Sequence, residues 1–280
     1  MYHFLQIITT FQLLSGLFAV DVYALPSSPQ RRMLGLPTGK TLLLHSFDRP
    51  WILKSYDDPS NITPADKTVF AKNLDSTVAL EKAAFGDKGD YNAGVYLLSH
   101  DYEGHKAGEV AAKILQKENN AAYAEVKALK TIGLFIGAGK LKLPPKDASL
   151  KIASATLPVV LMRRMHGEPL DETEEWKKAK AEHDDKHCMI WMAQTMDATC
   201  KQVVQWAVEK QFVHADFHKK NENVIMKDGK VQSVNIFDVG PPRTFIAKSG
   251  TPPAAVVRMV FCGQTARIHT DDYALAAKLV

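Results

Sequence analysis

Residues 214–240 read His-Ala-Asp-Phe-His-Lys-Lys-Asn-Glu-Asn-Val-Ile-Met-Lys-Asp-Gly-Lys-Val-Gln-Ser-Val-Asn-Ile-Phe-Asp-Val-Gly, and they are the most informative part of the chain. Two apolar runs flank the turn sequence Lys-Asp-Gly-Lys at 227–230, a combination that predicts a β-hairpin. Because a hairpin reverses the chain, it returns Asp238 to the side of Asp216. The pattern therefore predicts one polar site built from both ends of the stretch.

Carboxylates and asparagines in this order suit phosphoryl transfer, which needs one carboxylate to orient a hydroxyl and further oxygen ligands to hold Mg²⁺. Asp216 is the candidate catalytic residue, and Asp238 is a candidate metal ligand. The second metal ligand is either Asn221 or Asn223. Spacing from Asp216 selects Asn221, whereas Asn223 leaves the apolar run 224–226 to form the strand, and we favour Asn223.

The order His-x-Asp, four residues, Asn, hairpin and Asp-x-Gly resembles the protein-kinase-like superfamily. The sequence Asp-Phe-His at 216–218 is similar to the small-molecule kinases, such as the aminoglycoside and choline kinase relatives. The resemblance implies an α+β, two-lobed protein-kinase-like fold with a strand-rich small lobe and a shortened helical C-terminal lobe. It also implies that ATP and Mg²⁺ bind between the lobes.

The resemblance extends upstream of the hairpin. The sequence Val-Ala-Ala-Lys ending at Lys113 is similar to the strand that carries the phosphate-holding lysine. A helix predicted over 121–131 carries Glu125, which the resemblance makes the carboxylate partner of that lysine. Residues 88–96 resemble the glycine-rich loop with one extra residue, which makes Gly89 a candidate nucleotide-binding residue.

Downstream, residues 271–276 look like the start of the helix that anchors the catalytic loop in this superfamily, with Asp271 as the anchoring carboxylate. The resemblance covers about residues 85–280, without the last helices of a typical large lobe. Residues 250–252 read Gly-Thr-Pro, but no Ala-Pro-Glu follows Asp238. The platform for a protein substrate is therefore in doubt.

Apolar patterns predict the main elements around the site. Strands are expected at 95–98, 109–115 and 157–162. Residues 189–210 lack Pro and Gly and carry apolar side chains at helical spacing, which predicts a long buried helix. Cys188 and Cys200 would lie on that helix with about 18 Å of axial rise between them, too far for a disulfide.

The first residues resemble a targeting segment, because an apolar run over 4–20 ends at small residues near Ala24. The alternative is a membrane anchor; no later stretch is apolar enough to span a bilayer. A secreted or secretory-lumen location follows from the first interpretation. The expected divisions are a signal peptide 1–24, an N-terminal extension 25–76 without chemistry and a kinase-like domain 77–280, with a small lobe over about 77–165 and a large lobe over about 166–280.

Other short signals carry less information. Asn61-Ile62-Thr63 matches a glycan acceptor, although Pro64 follows directly. His214 and His218 are interpreted as hydrogen-bonded loop residues, since no third ligand stands nearby at zinc spacing. The three cysteines of the chain leave at least one thiol free or intermolecular.

Composition narrows the functions that remain. Of the 280 residues, 46% are hydrophobic and 24% charged, which suits a globular protein with a sizeable core. The net charge of +4, without a basic block, gives no nucleic-acid footprint. The resemblance to the protein-kinase-like superfamily implies an ATP-dependent phosphotransferase that acts on a protein or small-molecule hydroxyl. The alternative is a secreted pseudokinase, which binds a nucleotide or a partner without transfer.

Overall fold

The computed structural model describes most of the chain between residues 52 and 249. The described residues are 52–86, 92–142, 156–216, 221–249 and 254. The chain divides into two compact units, Met1–His45 and Ser46–Val280, and every described residue belongs to the second. The expected signal segment, Gly89, His218 and Asp271 lie outside the described residues.

The described residues form ten strands and three α-helices. The strands are β1 (Ile52–Ser55), β2 (Leu80–Gly86), β3 (Asn92–Leu98), β4 (Val110–Leu115), β5 (Phe135–Lys142), β6 (Thr156–Arg163), β7 (Phe212–His214), β8 (Glu222–Lys227), β9 (Lys230–Ile236) and β10 (Thr244–Ala247). The helices are α1 (Asn120–Ile132), α2 (Glu174–Ala181) and α3 (Asp185–Glu209). The predicted α+β class is confirmed, whereas the division into two lobes stays a prediction.

The largest sheet has five antiparallel strands in the order β2-β3-β4-β6-β5. The strands predicted at 95–98, 109–115 and 157–162 are confirmed as β3, β4 and β6, with ends shifted by up to three residues. All six residues of β4 are buried. Lys113 stands opposite Val95 on one side and Val160 on the other, so apolar side chains flank the lysine on its face of the sheet.

Helix α1 confirms the helix predicted over 121–131. Its first turn is capped by the Asn119 side chain, which accepts a hydrogen bond from the backbone N–H of Ala122. The buried residues of α1 are Ala122, Ala124, Glu125, Val126, Ala128 and Leu129. Glu125 is therefore held on the face that packs into the core.

Helix α3 confirms the long predicted helix but corrects the expectation that the helix is buried, because one face is exposed. Its buried residues recur every three or four positions, as in an amphipathic helix, and are Cys188, Trp191, Thr195, Thr199, Cys200, Val203, Trp206 and Ala207. Met189, Ile190 and Val208 are exposed instead. Cys188 has a free thiol and Cys200 is in a disulfide, so the prediction that these two do not pair is confirmed.

The β8–β9 hairpin confirms the predicted turn. Asp228 has φ 51° and Gly229 has φ 70°, the pair of left-handed residues that a two-residue Asp-Gly hairpin turn requires. A separate antiparallel sheet has the order β1-β10-β7. Its strand β1 belongs to the segment 25–76, which the sequence analysis assigned to an N-terminal extension without chemistry.

No helix among the described residues has the length and hydropathy needed to cross a membrane.

Candidate active site

Lys113 is the centre of a three-residue ionic cluster. Its Nζ donates to Oε1 of Glu125 at 2.6 Å and to Oδ1 of Asp238 at 2.8 Å. The side chains of Lys113 and Glu125 are each only 7% exposed, whereas that of Asp238 is 52% exposed. The structure thus brings three residues selected from the sequence into direct contact, with one carboxylate facing outward.

Burial and charge act in opposite directions on this cluster. Burial alone lowers the pKa of Lys113, but the carboxylates of Glu125 and Asp238 outweigh it and raise that pKa above its usual range. The pKa of Glu125 is raised because burial disfavours its charged form more strongly than the ion pair with Lys113 favours it. The lysine therefore stays charged, and its charge depends on its two neighbours.

Asp238 follows β9 in a left-handed conformation, with φ 55°, which aspartate tolerates better than most residues. The next residue, Val239, is buried and fixes the chain in the core. Gly240 then runs so close to α1 that a Cβ on it would lie 3.2 Å from Oε2 of Glu125. The glycine in Asp-Val-Gly is explained by this close approach.

His214, the last residue of β7, joins the two aspartates. Its Nδ1 accepts a hydrogen bond from the backbone N–H of Asp216 at 3.2 Å. Nε2 must then carry the proton, and it donates to the carbonyl oxygen of Asp238 at 3.2 Å. Burial lowers the pKa of His214 below its usual range. The ring is therefore a neutral structural link, as the sequence predicted.

Asp216 is held by two side chains. Nδ2 of Asn221 donates to its backbone oxygen at 3.1 Å and to its Oδ2 at 3.2 Å. Nη1 of Arg243 donates to Oδ1 at 2.5 Å. Both carboxylate oxygens of Asp216 are thus hydrogen-bonded, and the side chain retains 23% exposure.

The sequence patterns on either side of Arg243 did not indicate a role for this residue. The backbone oxygen of Arg243 accepts from the N–H of Ala215 at 2.9 Å, and β10 begins at the next residue. This pairing of β10 with β7 sets the arginine beside Asp216. A cation shortly after the Asp-x-Gly motif was the only signal available, and it does not specify a partner.

The hairpin register places the two candidate asparagines differently. The backbone oxygen of Asn221 accepts from the N–H of Phe237 at 3.0 Å, directly before Asp238. Asn223 pairs with Asn235, which lies three residues before Asp238 or about 10 Å along an extended strand. Asn221 is therefore adjacent to both aspartates, whereas Asn223 is displaced along β8.

A cavity of about 130 Å³ opens beside this cluster. It is lined by Lys113, Leu115, Gln116, Lys117, Asn119, Ala121, Ala122, Glu125, Asp238, Gly240 and Pro241. A larger cavity of about 290 Å³ lies between the C-terminal ends of α1 and α3 and strand β9. None of the predicted site residues lines that larger cavity, whereas Lys113, Glu125 and Asp238 line the smaller one.

The residues present fit a magnesium–nucleotide site and do not fit an all-protein metal cage. Among the described residues, no three His, Cys, Asp or Glu side chains are grouped to hold a metal ion. Mg²⁺ commonly binds through one or two protein oxygens together with substrate phosphates and water. Asp238 and the amide oxygen of Asn221 could supply those protein oxygens, and Lys113 could contact phosphate.

Comparisons with known proteins add little to this geometry. No family model matches the chain, and no curated protein matches it. Among solved structures, the chain is similar to the crystal structure of the BubR1 kinase domain, with 18% sequence identity and a TM-score of 0.36. The similarity covers 63% of this chain and 52% of the other, so this chain spans about half the length of that one. A likeness this low does not assign an activity.

Proposed function

We propose that this protein is an ATP- and magnesium-dependent phosphotransferase of the protein-kinase-like type, which acts on a hydroxyl of a protein or small molecule. The observation that carries the proposal is the simultaneous contact of Lys113 with Glu125 and Asp238, which are 12 and 125 residues away in sequence. Phosphoryl transfer requires both a cation that contacts the phosphates and an oxygen ligand for the metal. A lysine held by one buried carboxylate can contact the phosphates, while a second carboxylate holds the metal.

The charge of the cluster explains why phosphate binding at Lys113 would require Mg²⁺. Its ammonium is shared between two carboxylates, so the cluster carries one net negative charge. Mg²⁺, when bound by Asp238, supplies the positive charge that neutralises the phosphates. Glu125, being buried, would keep Lys113 in place if Asp238 held the metal.

Asp216 is proposed to accept the proton of the acceptor hydroxyl. The hydroxyl oxygen forms a bond to the γ-phosphorus, the bond from that phosphorus to the bridging oxygen breaks, and ADP leaves with the electron pair. The hydrogen bonds from Asn221 and Arg243 keep the Asp216 carboxylate in one orientation. This role requires only that an acceptor replaces or approaches one of those partners.

Asn221 is proposed as the second protein ligand of the metal, in place of Asn223. The hairpin register supports this choice, because the backbone of Asn221 is bonded next to Asp238 while Asn223 lies farther along β8. With Asn221 as the ligand, this chain departs from the kinase-like pattern at the next two residues. Asn223 and buried Glu222 occupy strand positions where the resemblance implies apolar residues.

One observation favours the alternative, a pseudokinase that binds nucleotide without transfer. Arg243 and Asn221 occupy both carboxylate oxygens of Asp216. If an acceptor hydroxyl cannot displace Arg243, Asp216 cannot act as the base. Binding and transfer are therefore tested separately.

The location is proposed to be the secretory pathway or the extracellular space. Two observations support it: the apolar run before Ala24 and the disulfide at Cys200. Disulfides form and persist mainly in oxidising compartments. Proteolysis of the leader can be checked by sequencing the N-terminus of secreted material, which should begin at or beyond Leu25.

The test of function is ATP binding and ADP formation by the purified mature protein. We expect ATP to raise the melting temperature only when Mg²⁺ is present, and we expect ADP formation with water or an added hydroxyl acceptor. Asp238→Asn serves as the comparison, since it removes the anionic metal ligand at a half-exposed side chain. Binding without ADP formation would support the pseudokinase, and no binding at all would overturn both the phosphotransferase and the nucleotide-binding pseudokinase.

A further inference from the structure

Residues 56–70 form a continuous contact with helix α1 that the sequence did not predict. Phe70 packs against Tyr123, with ring centroids 6.0 Å apart. Asn61 accepts from Lys127, and the hydroxyl of Tyr56 lies 3.3 Å from Oγ1 of Thr131. The three helix residues, Tyr123, Lys127 and Thr131, are spaced four apart and therefore share one face of α1. We call this contacting segment the brace.

Asn61 is the best-defined contact of the brace. Its side chain is buried, and its Nδ2 donates to the backbone oxygen of Tyr56 at 2.9 Å. Nζ of Lys127 donates to both the backbone oxygen and Oδ1 of Asn61, at 2.7 and 3.0 Å. Charge-assisted bonds of this kind are stronger than neutral ones. The ammonium of Lys127 thus joins α1 to the brace through two bonds to Asn61, and it also lies 4.0 Å from Oδ2 of Asp66.

The brace contacts the side of α1 that faces away from Lys113. Lys127 follows Glu125 by two residues, which turns it about 200° around the helix axis. Glu125 therefore points toward Lys113 while Lys127 points toward Asn61. The helix is held between the five-stranded sheet and the brace, and a shift of either would move Glu125.

The brace also reaches the strand that leads to Asp216. The ring of Tyr56 packs edge-on against Phe212 with a centroid separation of 5.2 Å. The backbone N–H of Tyr56 donates to the oxygen of Thr244 at 3.0 Å. One residue thus contacts α1, β7 and β10, the three elements that carry or flank Glu125, His214 and Arg243.

We infer that Asn61 and Tyr56 are positioning residues, which hold α1 so that Glu125 keeps Lys113 in its phosphate-contacting place. This inference rests on the proposed function for its catalytic meaning. Its structural content, that Lys127 and Glu125 are energetically coupled through α1, can be measured without nucleotide.

The decisive variant is Lys127→Met, which removes both hydrogen bonds to Asn61 and keeps most of the side-chain volume. We expect ATP·Mg²⁺ affinity, measured by calorimetry, to fall about tenfold, because the two charge-assisted bonds that hold α1 to the brace are lost. Lys127→Arg, which keeps a donor, should recover part of that affinity. Lys130→Met is the matched control, because the ammonium of Lys130 lies over the ring of Phe135 and not on Asn61.

A double-mutant cycle separates positioning from general stabilisation. If Lys127 acts through Glu125, then adding Lys127→Met to Glu125→Gln should change ATP·Mg²⁺ affinity by less than about twofold. Full additivity of the two effects would overturn the inference. Hydrogen exchange should also rise across residues 120–132 in Lys127→Met and not in Lys130→Met; unchanged exchange would count against the brace.

Failure of the proposed function would look different. If the wild-type protein binds no ATP, the same cycle is read from the free energy of unfolding of the four proteins. Non-additive effects of Glu125→Gln and Lys127→Met would then retain the coupling, while the phosphotransferase proposal falls. Additive effects would remove the coupling, whether or not ATP binds.

Discussion

The guanidinium of Arg243 lies on the carboxylate of Asp216, while the backbone of Arg243 pairs with Ala215, the residue just before that aspartate. Side chain and main chain thus fix the arginine to the same short loop. A residue held in this way either orients Asp216 for an acceptor or shields it from one. The two roles predict opposite changes in turnover when Arg243 is replaced.

Arg243→Gln is expected to lower kcat about tenfold or more and to leave ATP affinity unchanged, because a charge-assisted bond to Asp216 is lost away from the phosphates. Arg243→Lys should recover part of the rate. Steady-state kinetics combined with calorimetry separates the two quantities. A rise in turnover would mean that Arg243 blocks the site and would support the pseudokinase alternative.

Asp238→Asn is expected to weaken magnesium-dependent nucleotide binding, because an anionic oxygen ligand becomes a neutral amide. Calorimetry with ATP in the presence and absence of Mg²⁺ measures the change. Asp228→Asn makes the same substitution at the exposed tip of the hairpin and should leave binding unaltered. Equal binding by both variants would remove Asp238 from the metal site.

Asp216→Asn is expected to bind ATP·Mg²⁺ nearly as the wild type does, since no contact to Lys113 is lost. Turnover should fall by about 10² to 10⁴, the usual contribution of a positioned general base. Binding by calorimetry and turnover are both measured on the same preparation of each protein. Undiminished turnover would show that Asp216 is not the base.

Lys113→Met is expected to destabilise the protein by about 3–5 kcal/mol, because it leaves the buried carboxylate of Glu125 without its cation. Lys113→Met combined with Glu125→Gln should be destabilised less than Lys113→Met alone. Chemical denaturation measures all three free energies of unfolding. Lys117→Met, an exposed lysine at the same cavity, should change stability by no more than about 0.5 kcal/mol.

His214 should contribute a pH dependence to stability. Its folded-state pKa lies below the ordinary value of 6.5, so below that pH the unfolded chain binds a proton that the folded chain does not. The folded protein therefore loses stability as the pH falls from 6.5 toward the lowered pKa. His214→Gln should flatten this loss, and exposed His183→Asn should not. Identical pH slopes for wild type and His214→Gln would contradict the neutral, buried ring.

Asn61 should carry no glycan in the folded protein, although its sequence matches an acceptor. Its side-chain nitrogen donates to the backbone oxygen of Tyr56 and the side chain is buried, so a sugar attached to that nitrogen would break the bond to Tyr56. The measurement is mass spectrometry of secreted material after enzymatic deglycosylation in ¹⁸O-labelled water. It should show no ¹⁸O-labelled aspartate at position 61. Full occupancy in soluble, folded protein would contradict the observed burial.

Local patterns predicted much of what lies around Lys113. The alternation and period of apolar residues found β4, α1 and the β8–β9 hairpin, and the resemblance to kinases paired Lys113 with Glu125. Such patterns report which face of an element is buried. They therefore placed the lysine and its partner on elements that the fold does bring together.

The missed contacts join residues that no local pattern connects. Arg243 meets Asp216 across 27 residues, and Lys127 meets Asn61 across 66. Asn-Ile-Thr has the composition of a surface acceptor, and only the fold reveals that its asparagine is buried. The choice of Asn223 over Asn221 relied on an apolar run, whereas the backbone register places Asn221 nearest to Asp238. Gly89 stays a prediction, since it lies outside the described residues.

The pairing of β1 with β10 has a consequence for how the chain is made. Ser55 and its neighbour Thr244 are 189 residues apart, so at ribosomal rates of about 5–20 residues per second β1 waits roughly 10–40 s for its partner. During that interval its unpaired backbone is open to other strands. We expect refolding from denaturant, where both strands are present at once, to yield more monomer than synthesis in the absence of chaperones.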